Sequence, residues 1–199
     1  RYITDPGYRF AEADSPERER GDVDYTASVD DLNRTKQQTF ERLINDELSD
    51  GECGGFLVWG DPALYDSTLR ILHAILASGR CAFEFEVIPG ITSVQALAAQ
   101  HKVPLNTIGR SIEITTGRRL AAGQVSDADS LVVMLDAEDS YHHVADPQTE
   151  IYWGAYLGTP DEILISGKLG DVADEIERVR KAARLEHGWI MDTYLLRKP

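Results

Sequence analysis

The chain is short of cysteine and of long apolar runs. Cys53 and Cys81 are its only cysteines, too few for a disulfide framework or a four-cysteine zinc site, so we expect a reducing compartment. No apolar stretch approaches the ~18 residues that a membrane-spanning helix needs. We therefore expect a cytoplasmic protein with no signal peptide and no membrane partner.

Basic residues are also scarce. Twenty Lys and Arg stand against 34 Asp and Glu in 199 residues, a net charge of −14. Nucleic acids and anionic membranes both require a basic face, so neither is an expected partner. The apolar fraction of 42% is typical of a globular protein, and a local basic pocket on this acidic body is still compatible with the composition.

The first 27 residues are polar. The chain opens with Arg1 rather than Met, and a charged run extends from Asp14 to Asp24. Proline and glycine interrupt this region, which predicts an extended or loop segment.

Helices and strands alternate in the next part of the chain. Helix signals precede short apolar runs, each bounded by glycine or proline. This order is typical of a parallel sheet covered by helices, which is an α/β fold. The predicted elements are a helix from Ser28 or Asp30 to about Leu48, a strand over 55–59, a helix from Asp66 or Ser67 to Ser78, a strand over 83–88, and a helix from Thr92 or Ser93 to His101.

Beyond about Asn106 the pattern changes to strands with one helix. We therefore predict two subdomains, an N-terminal α/β subdomain over 1–106 and a C-terminal α+β subdomain over 107–199 with a mixed or antiparallel sheet. The predicted strands cover 111–115, 130–135, 151–157, 162–166 and 189–196, and the predicted helix covers 171–184.

Two loops follow predicted strands, where ligands of open α/β sheets bind. In the first, Gly60 would let a ligand approach the backbone, and Asp61 could accept hydrogen bonds from it. The second loop, 88–93, opens a helix whose N–H groups could face a polar ligand group. A plain strand–turn–helix connection explains the first loop equally simply, and a helix cap is the simpler explanation of the second loop taken alone.

The order of these loops resembles that of the S-adenosylmethionine-dependent tetrapyrrole methylases. The matching features are Gly60-Asp61-Pro62 with Leu64-Tyr65 and Ser67 before one helix, and Pro89-Gly90 with Thr92-Ser93 before the next. Longer blocks at 115–120, 150–162 and 188–196 extend the resemblance over nearly the whole chain. It implies a two-subdomain enzyme that holds S-adenosylmethionine between its subdomains and releases S-adenosylhomocysteine.

The resemblance also implies residues that contact the cofactor. For Met134 and Leu135 a place in the core of a strand is the simpler alternative, and Gly167 could mark only a strand end. The implied contacts are Trp59, Gly60, Asp61, Thr92, Ser93, Met134, Leu135 and Gly167.

Within the family, the later blocks resemble enzymes that methylate ring carbon 1 of a precorrin and release its acetyl group as acetate. Such a substrate carries many carboxylates, for which Arg118 and Arg119 are the implied ligands. Tyr65 or Asp66 would assist the water that removes the acetyl group. Methyl transfer from a sulfonium needs no metal, and the pair His142-His143 lacks a third ligand at suitable spacing.

The family opens with a strand and a glycine- and proline-rich loop ending in Gly-Asp-Pro, which residues 1–54 do not contain. The sequence leaves open whether such a segment precedes Arg1; a strand–loop–helix–strand unit there would have about 45–50 residues. Two alternatives stay open: a methylase for another tetrapyrrole position, and a truncated, non-catalytic relative. The resemblance also implies a homodimer, in which Tyr152, Trp153 and Tyr156 either pack in the core or face a second subunit.

Overall fold

The computed structural model describes residues 7–13 and 25–199. No helix in these ranges is long and apolar enough to cross a membrane. The helices are α1 (Tyr25–Glu47), α2 (Thr68–Ser78), α3 (Ser93–His101), α4 (Gly117–Ala121) and α5 (Leu169–His187), with a 3₁₀ turn at Ser140–His143. The strands are β1 (Ile112–Thr116), β2 (Ser130–Met134), β3 (Glu150–Ala155), β4 (Ile163–Lys168) and β5 (Asp192–Arg197).

The predicted helices and the five C-terminal strands are confirmed, with their ends shifted by a few residues. Gly79 ends α2 in the left-handed conformation, as its position after the last apolar residue indicated. The sequence did not predict α4 or the 3₁₀ turn, which are too short to show an apolar period. The predicted loop over 1–27 lies largely outside the described residues.

The chain divides after Gly90 into an N-terminal unit and a C-terminal unit that begins at Ile91. Helix α3 therefore belongs to the C-terminal unit, although the sequence places it before the predicted boundary near Asn106. That boundary stays a prediction. In the N-terminal unit, α1 and α2 pack around Ile71, Ile75 and Cys81, with Phe40 and Phe83 against them.

The two strands predicted in the N-terminal unit are wrong. Residues 55–59 and 83–88 form no strand, and the described part of this unit contains no sheet. Residues 55–59 are apolar, and residues 83–88 alternate phenylalanine with glutamate before Val87 and Ile88. A strand also needs a neighbouring backbone for its N–H and C=O groups. Neither segment has such a neighbour in the described ranges, and Leu57 and Ile88 are exposed.

The C-terminal unit contains a mixed five-stranded sheet, as predicted. Its strand order is β1-β2-β5-β3-β4. Strands β1 and β2 are parallel, and every other neighbouring pair is antiparallel. The central strand β5 follows the other four strands in sequence, so the sheet is complete only when β5 has inserted between β2 and β3.

A helix packs on each face of this sheet, and part of the α3 face, including Ile112 and Ile114 of β1, is exposed. On one face, α5 buries Ile176 and Ala183 against Trp153 and Tyr194. On the other face α3 packs against β3, β4 and β5. Gly154 allows this close approach, because a Cβ there would lie 2.8 Å from Leu97 Cδ1. A sheet with a helix on each face positions the loops at its strand ends rigidly.

Candidate functional site

The Asp61 carboxylate connects the two predicted loops of the N-terminal unit. Its Oδ2 accepts the Gly90 N–H at 2.7 Å and its Oδ1 accepts the Ala63 N–H at 2.8 Å. The bond from Gly90, followed by that from Ala63, lowers the pKa of Asp61. The first role of Asp61 is therefore to hold the Gly60 turn against Gly90.

The two loops meet so closely that Gly90 has no room for a side chain. A Cβ at Gly90 would lie 1.9 Å from the Gly60 carbonyl oxygen. Gly60 itself adopts φ +72°, which favours glycine. Trp59 is exposed beside this contact. The structure thus brings Gly60, Asp61 and Gly90 together, as a ligand-approaching loop pair requires.

Tyr65 and Asp66 follow this turn. Tyr65 adopts φ +54° and is exposed, a strained conformation for a non-glycine residue. Asp66 Oδ1 accepts the Thr68 N–H at 2.6 Å at the start of α2. This bond fixes the orientation of the Asp66 carboxylate and explains why the sequence pattern there also fits a helix cap.

Thr92 and Ser93 form the N-terminus of α3 in the C-terminal unit. Thr92 is buried, and its hydroxyl accepts the Val94 N–H while Gln95 bonds back to the Thr92 N–H, a capping box. Thr193 Oγ1 donates to Ser93 Oγ at 3.0 Å. The cap explanation is thus confirmed for Thr92, and Ser93 is attached to β5.

The same residue, Thr193, also lies opposite Met134 in the β2–β5 ladder. Ser93 is therefore brought close to the end of β2, where Leu135 adopts φ +53° with 61% of its surface exposed. Leucine favours neither that backbone conformation nor that exposure. Residues held in such a way concentrate at functional sites.

The Thr116 hydroxyl lies at the same end of the sheet. Thr116 pairs with Met134 across β1 and β2. Its Oγ1 is buried and has no hydrogen-bond partner among residues 7–13 and 25–199. A buried hydroxyl with no partner costs free energy unless a ligand or water satisfies it. Ser93, Thr116, Met134 and Leu135 together form what we call the β2-end cluster.

Gly167 lies apart from the β2-end cluster. It pairs with Ile151 near the start of β3, on the strand at the far edge of the sheet from β1. Three strand spacings and three residues separate it from Met134, a distance of about 17 Å. A Cβ at Gly167 would lie 2.8 Å from Val172 Cγ1, so close packing of α5 accounts for this glycine.

Arg118 and Arg119 are exposed on α4, directly after the end of β1. The Arg119 guanidinium donates two hydrogen bonds to the Gln124 carbonyl oxygen, at 2.8 and 3.2 Å. Arg119 therefore stabilises the turn between α4 and Gln124.

A buried ionic network beneath these turns was not predicted. Arg180 donates to Asp192 Oδ2 at 2.9 Å and lies 3.2 Å from Asp139 Oδ1, and Trp153 Nε1 also donates to Asp192. Burial raises the pKa of Asp192, although the Arg180 charge and hydrogen bonds oppose this. One feature of the sequence could have indicated this network. Arg180 is a charged residue on the apolar stripe of α5, one turn after Ile176.

The paired histidines are at the surface. His142 Nε2 lies 3.2 Å from Glu177 Oε2. No group of three or more His, Cys, Asp or Glu side chains in the described ranges could hold a metal ion. The three aromatic residues of β3 and the turn after it differ in burial. Trp153 and Tyr156 are buried in the core of the unit, whereas Tyr152 is half-buried.

Known proteins resemble this chain over its whole length. A Sinorhizobium protein named precorrin-6A synthase [deacetylating] is 52% identical over 198 residues, which is 100% of this chain and 76% of the relative. The crystal structure of a cobalamin synthesis related protein (CobF) from Corynebacterium diphtheriae has a TM-score of 0.79 at 40% identity, covering 86% of this chain and 72% of that one.

A more distant structure shows the same fold. It is uroporphyrin-III C-methyltransferase from Thermus thermophilus, complexed with S-adenosylhomocysteine, with a TM-score of 0.52 at 18% identity over 85% of this chain and 73% of that one. Residues 8–173 match the family described as Tetrapyrrole (Corrin/Porphyrin) Methylases. The family resemblance and fold class expected from the sequence are confirmed, and this chain belongs to the tetrapyrrole methylase family.

Proposed function

We propose that the protein is an S-adenosylmethionine-dependent C-methyltransferase of cobalamin biosynthesis. It methylates ring carbon 1 of precorrin-5 and releases the acetyl group as acetate, which yields precorrin-6A. The observation that carries this proposal is the 52% identity, across the full chain, to a precorrin-6A synthase [deacetylating].

The β2-end cluster fits a ligand that has both polar and apolar parts. The Thr116 hydroxyl is buried without a described partner, and the exposed Leu135 side chain offers an apolar surface on the same side of the sheet end. S-adenosylmethionine combines hydroxyl and amine groups with an adenine ring. We assign its binding in this unit to Ser93, Thr116, Met134 and Leu135.

The bound cofactor supplies an electrophilic methyl group on a sulfonium. The residues of the chain would position the two reactants, because rigid strand ends would hold the methyl group in line with the substrate carbon. Such alignment supplies most of the rate enhancement. No side chain has to transfer a proton to the methyl group. The absence of an obvious acid–base pair in the β2-end cluster is consistent with that chemistry.

Arg118 is the proposed substrate ligand. A precorrin carries several carboxylates and approaches a chain of net charge −14, so local cations must offset the repulsion. A guanidinium binds a carboxylate through two parallel hydrogen bonds. Arg118 is exposed directly after Gly117, at the start of α4.

Acetate release requires water to attack the acetyl carbonyl carbon. We assign Tyr65 and Asp66 as candidates for this step, because the Asp66 carboxylate is oriented by the Thr68 N–H and Tyr65 is exposed beside it. An oriented carboxylate can accept the proton that the attacking water loses.

The test is a coupled assay on the full-length protein. Precorrin-5 and methyl-labelled S-adenosylmethionine are supplied, and labelled tetrapyrrole and free acetate are measured together. We expect equal amounts of both, and no label in precorrin-2 supplied as a control substrate. Methylation without acetate would indicate another ring position, and no methylation of either substrate would indicate a non-catalytic relative.

A further inference from the structure

The Asp136 carboxylate is the centre of an unusually complete set of hydrogen bonds. Its Oδ2 accepts the Tyr194 hydroxyl and the Ser140 N–H, both at 2.7 Å. Its Oδ1 accepts the Ser140 hydroxyl at 2.8 Å and the Glu138 N–H at 3.0 Å. A buried carboxylate with four donors has one defined position, because any movement leaves at least one donor unpaired.

The backbone of Asp136 is held as well. Arg180 donates to the Asp136 carbonyl oxygen and, through its other nitrogens, contacts Asp139 and Asp192. Leu135, the residue before Asp136, has φ +53°. Such strain persists only where the surrounding structure imposes it. Asp136 on one side and strand β2 on the other impose it here.

The same carboxylate supports the turn that carries Arg118. A Cβ at Gly117 would lie 2.4 Å from both Asp136 Cγ and Asp136 Oδ1. The start of α4 thus rests directly on the Asp136 side chain. Gly117 is required for space, since it is not among the glycines with positive φ.

We infer that Asp136, held by Arg180, Ser140 and Tyr194, is a positioning residue that sets the Leu135 turn and the Gly117–Arg118 turn relative to each other. One carboxylate thereby controls both the proposed cofactor cluster and the proposed substrate arginine. This inference rests on the proposed function for the roles of those two turns. The contact between the turns itself does not depend on it.

Asp136→Asn tests the inference with almost no change of size. An amide has only one acceptor oxygen, so at least one of the four donors loses its acceptor. We expect the Kd of S-adenosylhomocysteine and the KM of precorrin-5 both to rise about fivefold or more, the effect of unpairing a buried donor. Hydrogen exchange in the full-length protein should accelerate in residues 117–121 and 135–140.

The control is Ile75→Ala, which creates a cavity in the separate core around Ile71 and Cys81, a cluster that contains none of Asp136's hydrogen-bond partners. It should lower the melting temperature and leave Kd, KM and exchange in the two turns within about twofold of wild type. Exchange that accelerates in only one turn, or equally in Ile75→Ala, would overturn the inference.

A second pair of variants keeps the test valid if Asp136→Asn folds poorly. Gly117→Ala should raise the KM, because its methyl group collides with the carboxylate. Adding Gly117→Ala to Asp136→Ala should cause no further rise, since that carboxylate has been removed. Additive effects of the two changes would show that the contact does not connect the turns.

The binding measurement separates this inference from the proposed function. Wild-type protein that binds no S-adenosylhomocysteine contradicts the proposed function, and the exchange experiment still decides whether Asp136 couples the turns. Wild-type protein that binds it, with an Asp136→Asn variant of unchanged Kd and KM, supports the function and overturns the positioning role.

Discussion

Leu57 and Ile88 lie in the two segments of the N-terminal unit where strands were predicted and are 84% and 77% exposed, whereas Val132 and Leu195, in strands of the C-terminal unit, are completely buried. The difference is in the backbone. Each C-terminal segment has hydrogen-bonded neighbours, and the N-terminal segments have none in the described ranges. An apolar run therefore indicates a strand only where the topology supplies a partner.

The candidate functional residues divide in the same way. The Gly60 and Gly90 loops are held by one carboxylate at the surface, Asp61. The Leu135 and Gly117 turns lie on a sheet packed on both faces and on a buried carboxylate, Asp136. We expect substitutions in the C-terminal unit to have the larger effects on stability and on binding.

The largest expected effect compares two tryptophans. Trp153 is fully buried and donates to Asp192, whereas Trp59 is 75% exposed. Trp153→Ala should lower the free energy of unfolding by about 3–5 kcal/mol, and Trp59→Ala by less than about 0.5 kcal/mol. Urea unfolding of both variants measures this. A Trp59→Ala loss as large as that of Trp153→Ala would contradict the comparison.

The next effect compares Arg118 with Arg119. Losing a charge-assisted hydrogen bond costs about 1.5–3 kcal/mol, so Arg118→Ala should raise the KM of precorrin-5 roughly 10- to 100-fold. Since Arg119 bonds to the Gln124 carbonyl, Arg119→Ala should change the KM much less. Neither should alter S-adenosylhomocysteine affinity. Steady-state kinetics and calorimetry measure both, and an unchanged KM for Arg118→Ala would remove it from the substrate site.

A smaller effect is expected at the loop contact of the N-terminal unit. Gly90→Ala places a methyl group 1.9 Å from the Gly60 carbonyl, which should cost about 1–3 kcal/mol. Gly55→Ala is the matched control, because nothing lies within 4 Å of its Cβ. Thermal unfolding compares the two variants. Equal melting temperatures would show that the Gly60–Gly90 contact is not maintained in solution.

The smallest effect is the titration of Asp61. Its pKa is lowered in the folded protein, chiefly by the Gly90 N–H. The contact therefore contributes stability above the ordinary carboxyl pKa of about 3.9 and loses it as the pH falls through the lowered folded value. The Gly90 amide resonance, followed by NMR from neutral to acid pH, should shift only below about pH 4. It should not titrate in Asp61→Asn, and a midpoint above 4 would contradict the contact.

The sequence alone was sufficient for the four longer helices, the C-terminal strands, the fold class and the family. Apolar periodicity, caps such as Thr92 and stops such as Gly79 are local signals, and local signals are readable without coordinates. Tertiary structure decided the rest. Whether residues 55–59 pair, how Thr193 joins Ser93 to Met134, and how Asp136 supports Gly117 all depend on backbones and side chains that are distant in sequence. Sequence spacing carries no information about such contacts, because they form only when the chain folds.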